Sequence, residues 1–389
     1  MRPSLLPWVA LASALTIAAC AHSTPADDGT LPALTGPLTL SAPVRLTFND
    51  GMDHVASFSD DGTTLLYAFQ EKLPLPPVVV SRPDADRCIG VMPAAGGTRQ
   101  SICRPDLTGL DSTDAFEHAT VNAAGALLYA AYSSRIGSLI TNGGTLRLAS
   151  LGAPWPGRAL LTTPTVTAGI SFDHFGVIRW ASPTLFFVEV HDQTLIGNPY
   201  NELKLDTLAL GLGILRGDLS GSGVVFTAVT GADSANGFDL SAGRDSLYFT
   251  RLDDATLYAI PIGGGARSVV YTEPAGGGRR ILRDPVRVGT RIAVVRQNYQ
   301  ARLQQLSPPT GLEAGAAIQL VRPSDGTATT LVAASGSAST QGSLAAFGAM
   351  AASPDGCRLV VEHRVVEKFS FTTDLYAYCL GLAGQCSCS

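Results

Sequence analysis

From residue 44 onward the chain repeats one device. A run of five to nine residues rich in Val, Leu, Tyr and Phe is bounded by Gly, Pro, Asp or Asn, and such runs come in groups of four. The second member of each group is the clearest: TLLYAFQE (64–71), ALLYAAYS (126–133), TLFFVEVH (184–191), SLYFTR (246–251), RIAVVRQ (291–297) and RLVVEHRVV (358–366). Their length and composition are those of β-strands. No stretch sustains helical periodicity with caps. Six groups share about 346 residues, roughly 58 each, and four short strands repeated six times is the signature of a six-bladed β-propeller of four-stranded antiparallel blades. A lone four-stranded sheet leaves apolar faces in water. Radial stacking covers them and leaves only short edges. A β-sandwich would need no such repeat.

One group runs FSDDG, TLLYAFQE, CIGVMPAAGG, TRQSIC. Another, over 239–272, runs SAGRD, SLYFTR, TLYAIPIGGG, ARSVVY. The last runs SPDG (353–356), RLVVEHRVV, DLYAYCLGLAG, QCSCS. In the third group LKLDTLAL (203–210) reads as the third strand. The segment APVRLTF (42–48) precedes the first innermost strand and has no blade of its own. Its alternation of Val44, Leu46 and Phe48 with Arg45 and Thr47 suits a half-buried edge strand, and the free edge it can complete is that of the last group.

Composition sets limits. The chain is 46% apolar and 15% charged, below the ~25% charge usual for a soluble domain, which excludes a disordered chain. Lys plus Arg is 27 against 32 Asp plus Glu, a net charge of −5, so the positive field that nucleic-acid binding requires is missing. There is no G-x-S-x-G elbow, no phosphate loop ending in Lys-Ser/Thr and no Cys-x-x-Cys-His.

Residues 1–19 are a short basic start followed by an apolar run from Leu5 to Ala19, too short to span a ~30 Å hydrocarbon core. Ile17-Ala18-Ala19-Cys20 resembles the bacterial lipobox. That resemblance implies cleavage before Cys20, acylation of its thiol and amine, and stable anchoring in the bilayer. Residues 20–40 read as the lipidated cysteine and a tether, and 41–389 as the propeller. The expected location is the bacterial cell envelope, lipid-anchored in the outer membrane and facing the periplasm or exterior.

Six cysteines remain: Cys88, Cys103, Cys357, Cys379, Cys386 and Cys388. An even number in an exported chain suggests disulfides. Cys88 and Cys103 bracket a hairpin and should face each other at its open end. Cys379 with Cys386, and Cys357 with Cys388, are a looser assignment.

Phe58-Ser59-Asp60-Asp61-Gly62 and Ser353-Pro354-Asp355-Gly356 resemble the F-S-P-D-G turn of TolB-like, or WD-repeat-like, propellers, and IGVMPAAGGTRQSI resembles that family's second hairpin. Ala56 and Asp60 stand where the family has proline. The resemblance implies the fold. TolB carries an α/β domain ahead of its propeller, whereas here the tether leads straight into the first group, so TolB's role in envelope translocation is not carried over.

Chemistry concentrates in four acidic-histidine neighbours, of which Glu362-His363 is not at the start of an innermost strand. Asp53-His54, Glu117-His118 and Asp173-His174 lie at or near the start of innermost strands, whose ends cluster at the mouth of a propeller channel. Three imidazoles and three carboxylates there are a candidate site for a metal ion or cationic ligand. However, counting back from the turn glycines, His54 and His118 differ by one position, and adjacent strand positions point to opposite faces. The bland alternative is a set of capped turns and solvated rims. The expectation is a non-catalytic binding or scaffold lipoprotein without a required cofactor, with a metal-binding protein or metal-dependent enzyme, its site at the central channel mouth, as the alternative. Its partners are the bilayer, through Cys20, and an unidentified envelope protein or small ligand. Trp155, in a Pro-Gly turn, is expected to pack onto a neighbouring blade.

Overall fold

The computed structural model describes residues 43–47, 52–70, 87–94, 98–103, 112–135, 144–192, 210–251, 254–275, 280–298, 316–334, 344–367 and 370–380. Cys20, the tether, Cys386 and Cys388 lie outside them. The described chain is all β. A leading strand β1 (Val44–Arg45) is followed by blade 1: β2 (Met52–Phe58), β3 (Thr64–Gln70), β4 (Arg87–Pro93) and β5 (Gln100–Ile102). Blade 2 is β6 (Ser112–Val121), β7 (Ala126–Arg135), β8 (Gly144–Ser150) and β9 (Ala153–Thr162). A small hairpin, β10 (Thr165–Thr167) and β11 (Ile170–Phe172), intervenes. Blade 3 is β12 (His174–Trp180), β13 (Leu185–Asp192), β14 (Leu210–Asp218) and β15 (Val225–Ala228). Blade 4 is β16 (Ala235–Leu240), β17 (Ser246–Arg251), β18 (Thr256–Pro261) and β19 (Ser268–Thr272). Blade 5 is β20 (Arg280–Val288), β21 (Arg291–Asn298), β22 (Ala316–Arg322) and β23 (Thr327–Ala334). Blade 6 is β24 (Leu344–Ala352), β25 (Arg358–Glu367) and β26 (Ser370–Cys379).

Within each blade the strands pair antiparallel in chain order, and the first strand of every blade touches the first strand of the next, from β2 round to β24 and back. Blade 6 takes its outermost strand from the other end of the chain: Val44 pairs with Ala377 and Arg45 with Tyr376. The seam continues as Leu46 N–H donates to Leu375 O (2.7 Å), Leu375 N–H donates to the Thr47 hydroxyl (2.9 Å), and Arg45 pairs with Asp374 (2.8 Å). The edge strand expected at 42–48 is therefore this closing strand. In blade 3 the third strand is Leu210–Asp218, not 203–210. Its register sets Ile214 against Glu189 and Leu215 against Val188, so the buried positions of LGLGILRGD meet β13. LKLDTLAL shows a similar alternation, but all of it except Leu210 lies outside the described residues.

The core is six cores, one between each pair of neighbouring blades. In β3, Leu65, Tyr67 and Phe69 face blade 6 while Leu66 faces blade 2. Both faces of a second strand are thus buried, which is why these runs read as continuous apolar stretches instead of alternating ones. Trp155 packs on the core between blades 1 and 2, its ring 5.5 Å from Phe116 and beneath Arg147.

In blades 1, 2, 4 and 6 the turn joining the first and second strands shares one mechanism. Ser59 and Ser353 donate to Asp61 and Asp355 and accept from the N–H of Thr64 and Arg358. Ser241 does the same with Asp245 and Ser246, and Asn122 accepts from Ala124 and Ala126. A side-chain oxygen placed there satisfies backbone donors that the turn removes from the ladder. The Cys88–Cys103 disulfide is present across the first hairpin. Cys357 and Cys379 each take part in a disulfide as well, and the partners expected for them, Cys388 and Cys386, lie outside the described residues.

Candidate functional site in the central channel

Every innermost strand slips its register once. The slips fall between Val55 and Ser57, Glu117 and Thr120, Phe175 and Ile178, Ala235 and Phe238, Arg283 and Val286, and Phe347 and Met350. A bulge leaves a backbone N–H outside the ladder and re-aims neighbouring side chains. In blades 3 and 6, which face each other across the ring, a glutamate from the second strand fills the gap. Glu189, 2% exposed, accepts from Val177 N–H (3.2 Å) and from Gly237 N–H of the adjoining blade (2.6 Å). Glu362, fully buried, accepts from Ala349 N–H (3.3 Å). Gly237 has φ +86°, and a Cβ there would lie 3.0 Å from Asp284 N, so glycine is what lets this N–H reach the carboxylate.

Each glutamate also holds an imidazole. His191 Nε2 lies 2.9 Å from Glu189 Oε1, and His54 Nδ1 lies 3.2 Å from Glu362 Oε2. In blade 2 the bulge itself carries the charge. Glu117 Oε2 is 3.6 Å from His118 Nε2 and 3.9 Å from His174 Nε2. The His174 ring stacks on Tyr132 at 4.1 Å, and the Tyr132 hydroxyl both donates to Phe175 O and accepts from Phe175 N–H.

Burial lowers the pKa of His118. Glu117 and Glu189 oppose that shift, while His191 and His54 add to it. Burial alone would raise the Glu189 carboxyl, but His191 and the N–H groups of Gly237 and Val177 hold it below the usual value. Burial thus disfavours the charged form of His118, while the nearby Glu189 carboxyl is held in its ionised form: an acceptor and a negative charge suited to a cation or a hydrogen-bonding ligand. Among the described residues, no three His, Cys, Asp or Glu side chains converge in a metal-holding arrangement.

Of the residues expected here, His54, Glu117, His118 and His174 come together. The partnerships do not follow chain adjacency. The carboxylate holding His54 is Glu362, 308 positions away, and the one beside His174 is Glu117. Asp53 is fully buried, its backbone N–H and carbonyl both bonded to the Thr373 hydroxyl. Asp173 uses its backbone to join His191 and Thr163. Sequence reading missed Glu189 and His191, and left Glu362 out of the channel set. The signal was present in FVEVHD: residues two apart in a strand share a face, so Glu189 and His191 point the same way. In Glu362-His363 the neighbours part. Glu362 enters the channel while His363 stacks on Tyr376 (4.2 Å) and bonds the Tyr378 hydroxyl (2.7 Å).

No known family model matches the chain, and no curated protein matches it. Similar solved structures include an oligogalacturonate lyase in complex with manganese, at 13% identity, TM-score 0.45, covering 91% of this chain and 94% of that one. A gluconolactonase from Xanthomonas campestris is at 13% identity, TM-score 0.49, with 90% and 97% covered. The calcium-binding protein regucalcin from Agrobacterium tumefaciens is at 13% identity, TM-score 0.45, with 90% and 92% covered. At such identities the likeness is one of fold.

Proposed function

We propose that this propeller is a lipid-anchored binding protein of the bacterial envelope and that its ligand sits in the central channel. The observation carrying this reading is the gathering of His54, His118, His174 and His191 with Glu117, Glu189 and Glu362 on the innermost layers of blades 1, 2, 3 and 6. Taking such groups out of water is costly, and a propeller needs none of them for its apolar seams. The ligand class they suit is a cation or a polyhydroxylated or amino compound that donates to carboxylate and imidazole. The lipobox-like Ile17-Ala18-Ala19-Cys20 supports the anchoring.

A second reading, a bound divalent metal ion, is favoured by one feature. A carboxylate lies within 4 Å of one nitrogen of each imidazole, the arrangement that orients histidine as a metal ligand. The experiment is native mass spectrometry and elemental analysis of the full chain extracted from membranes in non-ionic detergent, alongside the Cys20→Ala and His54→Ala/His118→Ala variants. A bound species that disappears in the double variant supports the channel reading, and its mass separates metal from organic ligand. Identical spectra with nothing bound in either protein refute it. Cys20→Ala should lose its acyl mass and leave the membrane fraction.

A further inference from the structure

Past the bulges, toward the turns, the channel changes chemistry. One residue from each innermost strand lines this end: Ser57, Thr120, Arg179, Asp239, Arg287 and Ala351. They line an opening of about 80 Å³ that Asp60 and Arg244 border from the turns. Three arginines, Arg179, Arg244 and Arg287, therefore line it with two aspartates, Asp60 and Asp239, in a protein whose net charge is −5.

Both carboxylates are already engaged. Asp239 accepts from Arg179 Nε (3.2 Å), Leu240 N–H (2.9 Å) and Arg287 N–H (2.7 Å). Asp60 accepts from Arg244 (2.8 Å) and from Ala123 N–H (3.2 Å). The Arg287 guanidinium is left over: among the described residues no acceptor meets it. A guanidinium is a planar fork of five donors that cannot deprotonate, and it matches a carboxylate or phosphate.

Arg244 is unusual in its backbone. It has φ +54°, at the turn position that Gly62, Gly125 and Gly356 fill in blades 1, 2 and 6. Each of these four residues donates its N–H to the residue three before it, Ser241 in the case of Arg244. A side chain in that conformation is strained, and strain of this kind persists where the side chain has a use. Here Arg244 reaches from blade 4 to Asp60 of blade 1, straight across the mouth, and to Ala181 O of blade 3.

We propose that the turn-side mouth is a binding site for an oxyanion, a carboxylate or phosphate group, with Arg287 as its principal donor. Arg244 is the second donor, released from Asp60 when the anion enters. This site is separate from the imidazole–carboxylate site on the other side of the bulges and stands whether or not that one binds a ligand.

Trp180, 3% exposed, is in the wall of the opening and reports on it by its fluorescence. The full chain in non-ionic detergent is titrated at constant ionic strength with inorganic phosphate in one arm and succinate in the other, and Trp180→Phe identifies the signal. Binding should saturate in at least one arm, which names the preferred group. Arg287→Gln should weaken it about tenfold or more, the usual worth of a charge-assisted hydrogen-bonded contact. Asp60→Asn, which frees Arg244, should tighten it severalfold. A response no different from chloride, or variants indistinguishable from the parent, overturns the proposal. If Arg287→Gln fails to fold, Asp60→Asn decides, because misfolding does not raise affinity.

Discussion

At the scale of single residues, burial has opposite uses on the two faces of one strand. Glu362 and His363 are chain neighbours, yet one serves the channel and the other the apolar seam. Burial holds His363 down to about 4, against an ordinary value of 6.5. The folded protein therefore binds fewer protons than the unfolded chain between those values. The stability tied to the neutral ring is full above about pH 6.5 and is lost as pH falls toward about 4. Over the interval from pH 7 to pH 5 the loss from this one group is up to about 2 kcal/mol. Urea melts at the two pH values check it: in His363→Gln the drop should shrink by about that amount, and an unchanged drop would mean the ring is not shielded. What the sequence concealed at this scale was partnership. Charged neighbours in a strand diverge, so Asp53-His54 and Asp173-His174 looked like pairs, while the carboxylates beside those two histidines are Glu362 and Glu117.

At the scale of elements, most of the architecture was legible because each strand must end in a turn whose chemistry is local. Ser59, Asn122, Ser241 and Ser353 announce four of these turns in the primary structure. The third strand of blade 3 was misplaced because alternation alone does not choose between two overlapping apolar runs. The tertiary partner Glu189–Val190 makes that choice, and Gly211 and Gly213 allow the slip between Val190 and His191. The closing strand was legible because it had no blade of its own. Its anchor is Leu46, 1% exposed in the core shared by blades 1 and 6. Leu46→Ala should cost about 3 kcal/mol, as for other buried leucines, while Val269→Ala, at a site 64% exposed, should cost less than about 0.5. Thermal melting of both variants tests the seam: equal midpoints would mean that β1 does not complete blade 6.

At the scale of the whole molecule, stability is distributed over six seams, and the first is reinforced covalently. The Cys88–Cys103 bridge spans 15 positions at the edge of the core between blades 1 and 6. Replacing both cysteines by serine should cost about 3 kcal/mol in the chain-entropy view. Denaturant melts of the oxidised parent and the double variant measure this, and an unchanged midpoint would place the bridge outside the cooperative unit. The repeat told the blade number, because it is written along the chain. Which side chains meet across the axis is not written there. It depends on the ring closing and on six separate bulges, each of which displaces the rest of its strand by a residue. That is why the channel was legible as a concentration of acidic-histidine motifs but not as the contacts His54–Glu362 or Asp60–Arg244.

The seam that closes the ring joins Arg45 to Asp374, 329 positions apart. Blades 2 to 5 are built from pairings between sequence neighbours and can form while the chain is still being made. The sixth blade cannot, since its outer strand precedes its other three in the chain by the whole length of blades 1 to 5. Loops of that length close slowly, and contact order sets the pace of folding. The ring can thus close only once β26 has been made. Any chain truncated before about residue 375 would carry β1 with nothing to pair with and an open edge at the far end, the kind of edge that seeks a strand from another molecule.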